Sequence, residues 1–283
     1  MSFKKTRLLL WLLILVFVPF CIYQNNSIVV SESSYYNPKI PSDFDGYKIV
    51  HISDLHNKMF GNGQINILKK IRNLSPDVIV VTGDLIDRRR YDLDSAMTFI
   101  LGAVKIAPVY YVSGNHEAWS GKFPLIKERL NEAGVIILDD VSVELAKGGS
   151  SIQIIGLADP GFSRPAYYGS HISEATEKLT PWSTDEEFKI LLSHRPELFD
   201  VYCETNMDLV FTGHAHGGQV RIPLIGGLVA PNQGLFPRYT SGSYSKGSTT
   251  MYVSRGLGNS LIPLRIFNRP EIVAVTLRNG QQL

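Results

Sequence analysis

Five strand-length apolar segments, each ending in polar residues, restrict most strongly how this chain can fold. YKIVHIS leads to Asp54, PDVIVV to Asp84, APVYYVS to Asn115, EFKILLS to His194 and MDLVF to His214. Segments that are apolar at almost every position are typical of strands buried on both faces of a sheet covered by helices. In open α/β sheets, ligands bind beyond the carboxyl ends of such strands. We therefore expect an α/β domain whose five polar clusters meet at one rim.

The residue types in these clusters predict a metal centre. The side chains expected to bind metal are Asp54, His56, Asp84, Asn115, His194, His214 and His216. Imidazole, carboxylate and amide donors together suit Mn, Fe or Zn, and we expect two divalent ions. Two ions roughly 3.5–4 Å apart can clamp a phosphate and activate a bridging water, with Asp84 as the natural carboxylate bridge. Each cluster alone is more often turn chemistry, so the prediction depends on their combination.

In order and spacing, the five clusters resemble the conserved motifs of the calcineurin-like metallophosphoesterase superfamily. Its pattern D-x-H, G-D, G-N-H-D/E, H and G-H-x-H is matched here by DLH, GD, GNHE, H and GHAH. The resemblance implies a sandwich of two mixed β-sheets flanked by helices, and a hydrolase of phosphoric esters. It also implies the following roles: Asp54, His56 and His216 at the first ion, Asn115, His194 and His214 at the second, Asp84 at both, and His116 as the acid that protonates the leaving oxygen.

His116 and Glu117 extend the GNHE cluster beyond its metal ligand. An imidazole with an unperturbed pKa of about 6.5 can donate a proton at neutral pH, which fits the acid role of His116. Glu117 has two interpretations that the sequence leaves open. It either orients His116 or faces solvent at the start of a helix.

Helices and a hairpin are expected between the polar clusters. Apolar periodicity predicts helices over Gln64–Leu74, Leu93–Lys105 and Phe123–Ala133. A Lys-Gly-Gly turn predicts a hairpin between strands at Val141–Leu145 and Ile152–Leu157. This alternation of strands and helices predicts mixed sheets that pack together under a cover of helices.

Length and charge indicate one large catalytic domain, which we place at residues 47–283. The formal net charge is +2, and Arg88, Arg89 and Arg90 form the only compact basic cluster. Such a triplet is more often a solvated loop, although its position after Asp84 also allows it to steer a phosphate. No nucleic-acid partner is expected, and no protein partner is predicted.

The amino-terminal segment predicts attachment to a membrane. Residues 1–7 form a basic tail, residues 8–23 lack charge and are expected to form a signal anchor, and residues 24–46 form a linker and an edge strand at Ser27–Tyr36. The positive flank predicts a cytoplasmic amino end and an extracytoplasmic catalytic domain. A secreted protein released by signal cleavage is the alternative.

The segment from Gly217 to Asn259 is rich in glycine and proline and also apolar. It either packs over the core or forms an exposed apolar lip beside the metals. Phe236, Arg238 and Arg255 are candidate substrate-binding residues, with structural ion pairing as the alternative for both arginines. The tail resembles a bacterial membrane-anchored or secreted subgroup related to a UDP-2,3-diacylglucosamine pyrophosphatase.

This second resemblance implies a phosphodiesterase or pyrophosphatase acting on an envelope, lipid-linked or nucleotide-type substrate. Three other functions remain open from the sequence. They are a phosphomonoesterase, a nuclease on the same fold and a scaffold that binds without catalysis. The complete set of predicted ligands argues against the scaffold, and the absence of a basic stripe argues against the nuclease.

Overall fold

Two six-stranded mixed sheets pack face to face and are covered by helices on their outer faces. The computed structural model describes residues 3–163, 168–184, 187–259 and 263–281. Within them the first nine strands are β1 (Val29–Asn37), β2 (Lys48–Ile52), β3 (Val78–Thr82), β4 (Val109–Val112), β5 (Ile136–Ile137), β6 (Ser142–Lys147), β7 (Ser150–Gly156), β8 (Lys189–Leu192) and β9 (Leu209–Thr212). They are followed by the short ribbons β10 (Arg221–Ile222) with β11 (Gly226–Gly227) and β12 (Val229–Ala230) with β13 (Gly234–Leu235), and by β14 (Gly242–Lys246), β15 (Thr249–Val253) and β16 (Glu271–Asn279).

The first sheet has the strand order β1-β16-β2-β3-β4-β5. Strands β2 to β5 are parallel, so the polar residues that follow β2, β3 and β4 lie at one edge. The last strand of the chain, β16, lies antiparallel to β2 and parallel to β1. The predicted edge strand is therefore confirmed at Val29–Asn37, as a full member of this sheet.

The second sheet has the order β14-β15-β9-β8-β7-β6. Strands β7, β8, β9 and β15 are parallel, and an antiparallel strand closes each side. The carboxyl ends of β8 and β9 therefore deliver two further polar clusters to one edge. The predicted sandwich of two mixed sheets is confirmed.

Three apolar clusters hold the layers together. The described helices are α1 (Phe3–Asn26), α2 (Ile65–Leu74), α3 (Leu93–Ala103), α4 (Asn115–Trp119), α5 (Phe123–Glu132), α6 (Tyr168–Leu179) and α7 (Phe199–Glu204). One cluster joins the first sheet to α2, α3 and α5, and another joins the second sheet to α6 and α7. The third fills the space between the sheets, where Val80 and Val112 of one sheet share a cluster with Ile190 and Phe211 of the other.

The predicted helices and hairpin strands between the clusters are confirmed, and most of their ends lie within one or two residues of the predicted positions. Helix α2 begins at Ile65, where Gln64 has a left-handed backbone. Helix α3 ends at Ala103, two residues before the predicted Lys105. The hairpin strands β6 and β7 turn at Gly148, whose φ of +61° suits glycine.

Helix α1 contacts the domain through its last turns. Phe20 packs edge-on against Phe267 with ring centroids 5.4 Å apart, and the Arg269 guanidinium lies 4.9 Å from the Tyr23 ring. The Asn259 side chain donates to Asn25 Oδ1 at 3.0 Å. Over the described residues, no helix combines the length and the apolar content needed to cross a membrane. The predicted anchor over residues 8–23 is therefore not supported by the fold.

Candidate metal centre

The polar clusters that follow five strands meet at one rim of the sandwich. Two groups of donor atoms lie there, each with all its atoms within 4.8 Å of one another. The first group is Asp54, His56, Asp84 and His216, and the second is Asp84, His194 and His214. All are buried, and Asp84 belongs to both groups. The structure thus brings together six of the seven predicted ligands in these groups.

In the first group, imidazole nitrogens face each other and carboxylate oxygens. His56 Nε2 lies 3.2 Å from His216 Nε2. Asp54 Oδ1 is 3.3 Å from His216 Nε2, and Asp84 Oδ2 is 3.5 Å from His56 Nε2. The backbone N–H of His214 donates to both oxygens of Asp54 at 3.1 Å, which fixes this carboxylate.

The second group is centred on His194, and the seventh predicted ligand, Asn115, lies beside it. His194 Nε2 lies 3.3 Å from Asp84 Oδ2, and 3.2 Å from both Asn115 Oδ1 and His214 Nδ1. The other ring nitrogen of His194, Nδ1, lies 2.7 Å from the Thr82 carbonyl oxygen. A proton on Nδ1 donates to that carbonyl and leaves Nε2 free to bind a metal.

Asp84 is held so that one oxygen faces both groups. Its Oδ1 accepts a hydrogen bond from the His116 backbone N–H at 2.8 Å. Its Oδ2 lies 3.5 Å from His56 Nε2 and 3.3 Å from His194 Nε2. An oxygen placed in this way can bridge two cations.

The chemistry of these donors fits divalent metal ions. Burial lowers the pKa of His56 to about 3 and also lowers the pKa of His216. Both rings are therefore neutral near pH 7, and in the tautomer with Nε2 unprotonated each can offer a lone pair to a cation between them. Burial opposes charge on His194, but the charge and hydrogen bond of Asp84 together with the charges of Asp54 and Asp159 outweigh burial and raise the pKa of His194 to about 10. A metal ion bound here has to displace that proton.

The backbone at this rim is held in an uncommon conformation. The φ angles of Asp54, His56, Asp84, His214 and His216 lie between +47° and +63°. Residues other than glycine rarely adopt this left-handed region, and each such residue costs on the order of 1–3 kcal/mol. Strain of this kind persists where surrounding contacts enforce it, and it is typical of functional sites.

Gly213 packs so closely against the first donor group that it cannot carry a side chain. A Cβ added there would lie 1.8 Å from Ser53 Oγ and 2.4 Å from Asp54 Oδ2. We expect Gly213→Ala to lower the free energy of unfolding by about 1–3 kcal/mol through overpacking, and to displace Asp54. Thermal unfolding and elemental analysis after metal loading measure both effects. Gly149→Ala is the matched control because a Cβ there meets nothing within 4 Å, and equal metal content in both variants would contradict the prediction.

Glu117 is buried and links the two turns that carry Asp84 and Asn115. Its carboxylate accepts hydrogen bonds from the backbone N–H groups of Asp84 at 2.8 Å, Ile86 at 3.1 Å and Gly114 at 2.8 Å. Burial and the charge of Asp84 raise the pKa of Glu117 to about 7. The interpretation of Glu117 as a solvent-facing residue is wrong, because three buried donors need its oxygens.

His116 lies beside the metal-ligand groups without belonging to either. Its ring packs edge-on against His56 with centroids 4.4 Å apart. Its Nδ1 accepts a hydrogen bond from the Arg88 backbone N–H at 3.1 Å, so Nε2 is the nitrogen left to serve a substrate. Burial lowers the pKa of His116, against the opposing charges of Asp84 and Asp87.

A buried network beneath His214 was not anticipated from the sequence. Arg195 forms a two-point ion pair with Asp159, at 2.6 and 2.9 Å. Asn232 Oδ1 lies 3.2 Å from both Arg195 Nη1 and His214 Nε2. Arg195 Nη1 also lies 3.1 Å from His214 Nε2, and the tautomer in which Nε2–H donates to Asn232 Oδ1 keeps Nδ1 for a metal. The adjacency of Arg195 to His194 was the one sequence signal for this network.

Two cavities open at this rim. One of about 110 Å³ is lined by Asp84, Arg89, Asn115, His116, Trp119, His214, His216, Pro231 and Asn232, and we call it the catalytic cavity. The other, of about 310 Å³, is lined by His56, Asn57, Lys58, Arg90, Asp92 and Asn259, and we call it the side cavity. His56, a predicted ligand, lines the side cavity and packs edge-on against His116 of the catalytic cavity. The two cavities therefore adjoin across the predicted metal site.

The three candidate substrate residues lie apart from the catalytic cavity. Phe236 is 62% exposed, and the Arg238 guanidinium lies 5.1 Å from the Tyr239 ring. Arg255 Nε lies 3.8 Å from Glu271 Oε1, and Arg255 lines a separate cavity of about 410 Å³ together with Arg221. None of the three is among the described residues that line the catalytic cavity. Their role in substrate binding stays a prediction.

Comparison with known proteins agrees with this geometry. A family model described as calcineurin-like phosphoesterase matches residues 47–218. The chain is 33% identical over 258 residues to the uncharacterized metallophosphoesterase YkuE of Bacillus subtilis, covering 89% of this chain and 86% of that protein. It is 30% identical to the uncharacterized metallophosphoesterase Cj0846 of Campylobacter jejuni, covering 96% and 70% respectively. It is also 30% identical to the phosphodiesterase YaeI of Escherichia coli, covering 82% of each chain.

The matched region contains the five strand ends that supply both donor groups and His116. The family match and the geometry of the site indicate the same chemistry. This chain therefore belongs to the calcineurin-like phosphoesterase family and is a metal-dependent phosphoesterase.

Proposed function

We propose that the protein hydrolyses phosphodiesters or diphosphates with two divalent ions, Mn, Fe or Zn, held by the seven predicted ligands. The observation that carries this proposal is the position of Asp84 Oδ2, which lies 3.5 Å from His56 Nε2 and 3.3 Å from His194 Nε2. A single carboxylate oxygen shared by two buried donor groups suits a pair of ions better than one ion. Bound there, the ions would polarise the phosphate and lower the pKa of a water between them.

The residues of the chain supply orientation and a proton. Asp54 and Asp84 are locked by backbone donors, so they do not reorganise during the reaction. His116 lines the catalytic cavity and has its Nδ1 engaged, so its Nε2 can deliver a proton to the leaving oxygen. The phosphodiester anion beside His116 favours the protonated imidazole and offsets the effect of burial, and in that state Nδ1–H faces Asp87 Oδ1, 3.7 Å away.

The proposed substrate joins its phosphate to an apolar or nucleotide-type group of the cell envelope, as in the pyrophosphatase subgroup that the tail resembles. Leu224, Ile225 and Phe267 are exposed and line one surface cavity, and Phe267 also contacts Phe20 of α1. An exposed apolar surface next to a second apolar element is typical of contact with lipid or another apolar partner. This favours the exposed-lip interpretation of the 217–259 segment over core packing alone.

Phe236→Ala and Arg238→Ala test whether this lip serves the substrate. We expect each to lower kcat/KM on a lipid-linked or nucleotide-sugar diester by about 10-fold or more and on bis(p-nitrophenyl) phosphate far less. Contacts far from the reacting phosphate help to orient that phosphate only for a substrate that is large enough to reach them. Steady-state kinetics on both substrates give the comparison. Equal losses on both, or none, would leave the lip without a role in binding.

We also propose that residues 8–23 attach the domain to a membrane, with the amino end in the cytoplasm and the domain outside. The support is the absence of charge in this segment and the exposure of Trp11, Leu15 and Val16, each about 70% exposed on α1. Protease added to spheroplasts should degrade the domain, and the amino terminus of the mature protein should begin at Met1 or Ser2. A domain protected until lysis would overturn this topology, and a terminus within Gln24–Ser33 would indicate secretion.

One screen separates the proposed activity from its alternatives. The full-length protein in detergent, loaded with Mn²⁺, is assayed on bis(p-nitrophenyl) phosphate, p-nitrophenyl phosphate, and single- and double-stranded DNA. We expect the diester to be turned over faster than the monoester and DNA. Preference for the monoester would indicate a phosphomonoesterase, preference for DNA a nuclease, and no turnover of any substrate a non-catalytic scaffold.

A further inference from the structure

The side cavity adjoins the metal-ligand groups and is lined by charges of both signs. His56, a predicted ligand of the first ion, forms part of its wall. At about 310 Å³ the cavity has room for a group the size of a phosphate together with attached atoms. A substrate whose phosphate lies on the metal ligands can therefore extend one arm into this cavity.

Two of the three charged residues in the cavity are already paired. Arg90 donates to Asp87 through Nε at 3.0 Å and Nη2 at 2.7 Å. Asp92 caps helix α3 by accepting from the backbone N–H and the hydroxyl of Ser95, at 3.1 and 2.6 Å. Their charges are held by these local contacts and contribute little unpartnered charge to the cavity.

Lys58 differs from Arg90 and Asp92 because none of the described residues in contact with it offers a carboxylate. Its ammonium donates to the carbonyl oxygen of Asn25 at the end of α1 and lies 5.0 Å from the Phe60 ring. No carboxylate of the described residues lies within 4 Å of it. A partly buried lysine without a carboxylate partner, on the wall of a cavity next to a metal site, is suited to bind an anion, which would supply the counter-ion that its buried amine lacks.

We propose that Lys58 and the side cavity form a second anion subsite, which binds a further phosphate of the substrate beyond the one that is cleaved. This inference rests on the proposed function, since it adds a specificity-determining residue to the same site. The substrate class is then a molecule with two neighbouring phosphates, such as a diphosphate diester. Because Lys58 also contacts Asn25, the arm in the side cavity points toward the end of α1.

Hydrolysis of such a substrate consumes one water. The water oxygen forms a bond to the phosphorus at the metal ligands, and the bond from that phosphorus to the bridging oxygen breaks. The second phosphate leaves with the bridging oxygen and takes a proton through His116, while the other proton of water is released to solvent. Two phosphate monoesters are the products, and Lys58 stabilises the charge that develops on the leaving one.

A matched pair of inhibitors tests the subsite without requiring the natural substrate. ADP and AMP differ by one phosphate, and each is measured as an inhibitor of bis(p-nitrophenyl) phosphate hydrolysis by the full-length protein at fixed free Mn²⁺. We expect ADP to bind more tightly than AMP. Lys58→Met should reduce the ratio of the AMP inhibition constant to the ADP inhibition constant by roughly 10- to 100-fold, because one charge-assisted hydrogen bond is lost. Lys58→Arg should restore most of the ratio.

Lys105→Met is the control, since Lys105 is exposed after α3, at the amino end of β4 and away from the rim. It should leave both inhibition constants unchanged. An unchanged ratio in Lys58→Met, or an equal weakening of both inhibitors, would overturn the subsite and indicate that Lys58 only holds α1. Failure of the wild-type protein to hydrolyse both bis(p-nitrophenyl) phosphate and a nucleotide-sugar diphosphate would instead overturn the proposed function.

Discussion

Asp84→Ala is expected to remove most of the bound metal and nearly all hydrolysis, because one oxygen of Asp84 faces both donor groups. Metal-ion stabilisation of the transition state is worth several kcal/mol, and each ~1.36 kcal/mol is tenfold in rate, so we expect a loss of roughly 10³-fold or more. His56→Ala should mainly weaken the first ion. Elemental analysis and kinetics measure the two effects.

Asp94→Ala is the matched control for this substitution. Asp94 lies in the first turn of α3, and its carboxylate is exposed, 3.6 Å from Arg129. An exposed pair of this kind contributes little to stability, so metal content and activity should stay at the wild-type level. Two ions retained per chain in Asp84→Ala would contradict the bridging role.

His116→Ala is expected to keep its metal and lose the proton donor. His116 lines the catalytic cavity but belongs to neither donor group. We expect turnover of an alkyl phosphate diester to fall by about 10² to 10⁴-fold, and turnover of a nitrophenyl ester, whose leaving group needs no proton, to fall much less. Metal content should stay at two ions per chain.

The comparison of leaving groups distinguishes an acid from a residue that only shapes the site. Equal losses on the alkyl and nitrophenyl substrates would contradict the acid role. A loss of metal in His116→Ala would also contradict it, since the His116 backbone N–H, which donates to Asp84 Oδ1, is retained in the variant.

The sequence was sufficient to predict which residues meet at the rim. Parallel strands have their carboxyl ends at the same edge of a sheet. The residues that follow the buried strands were therefore expected to meet there: Asp54, Asp84, Asn115, His194 and His214. Helix positions followed from local apolar periodicity, and the hairpin position followed from its Lys-Gly-Gly turn. These features depend on short-range patterns that the sequence carries directly.

The support beneath the ligands depends on contacts between distant segments and was not predicted. Asn232 reaches His214 from a loop 18 residues away, with a left-handed backbone that no local motif indicated. Glu117 could be given two roles from sequence, and only its burial under three backbone donors decides between them. The positive φ angles of the ligands likewise arise from the packed turns around them.

The most direct test of the dinuclear site is a titration of the metal-free, full-length protein with Mn²⁺, following bound metal and hydrolysis of bis(p-nitrophenyl) phosphate together. The two donor groups that share Asp84 predict two ions per chain and activity that requires both. Activity complete at one ion per chain, or undiminished after a chelator has removed the metal, would contradict a dinuclear phosphoesterase.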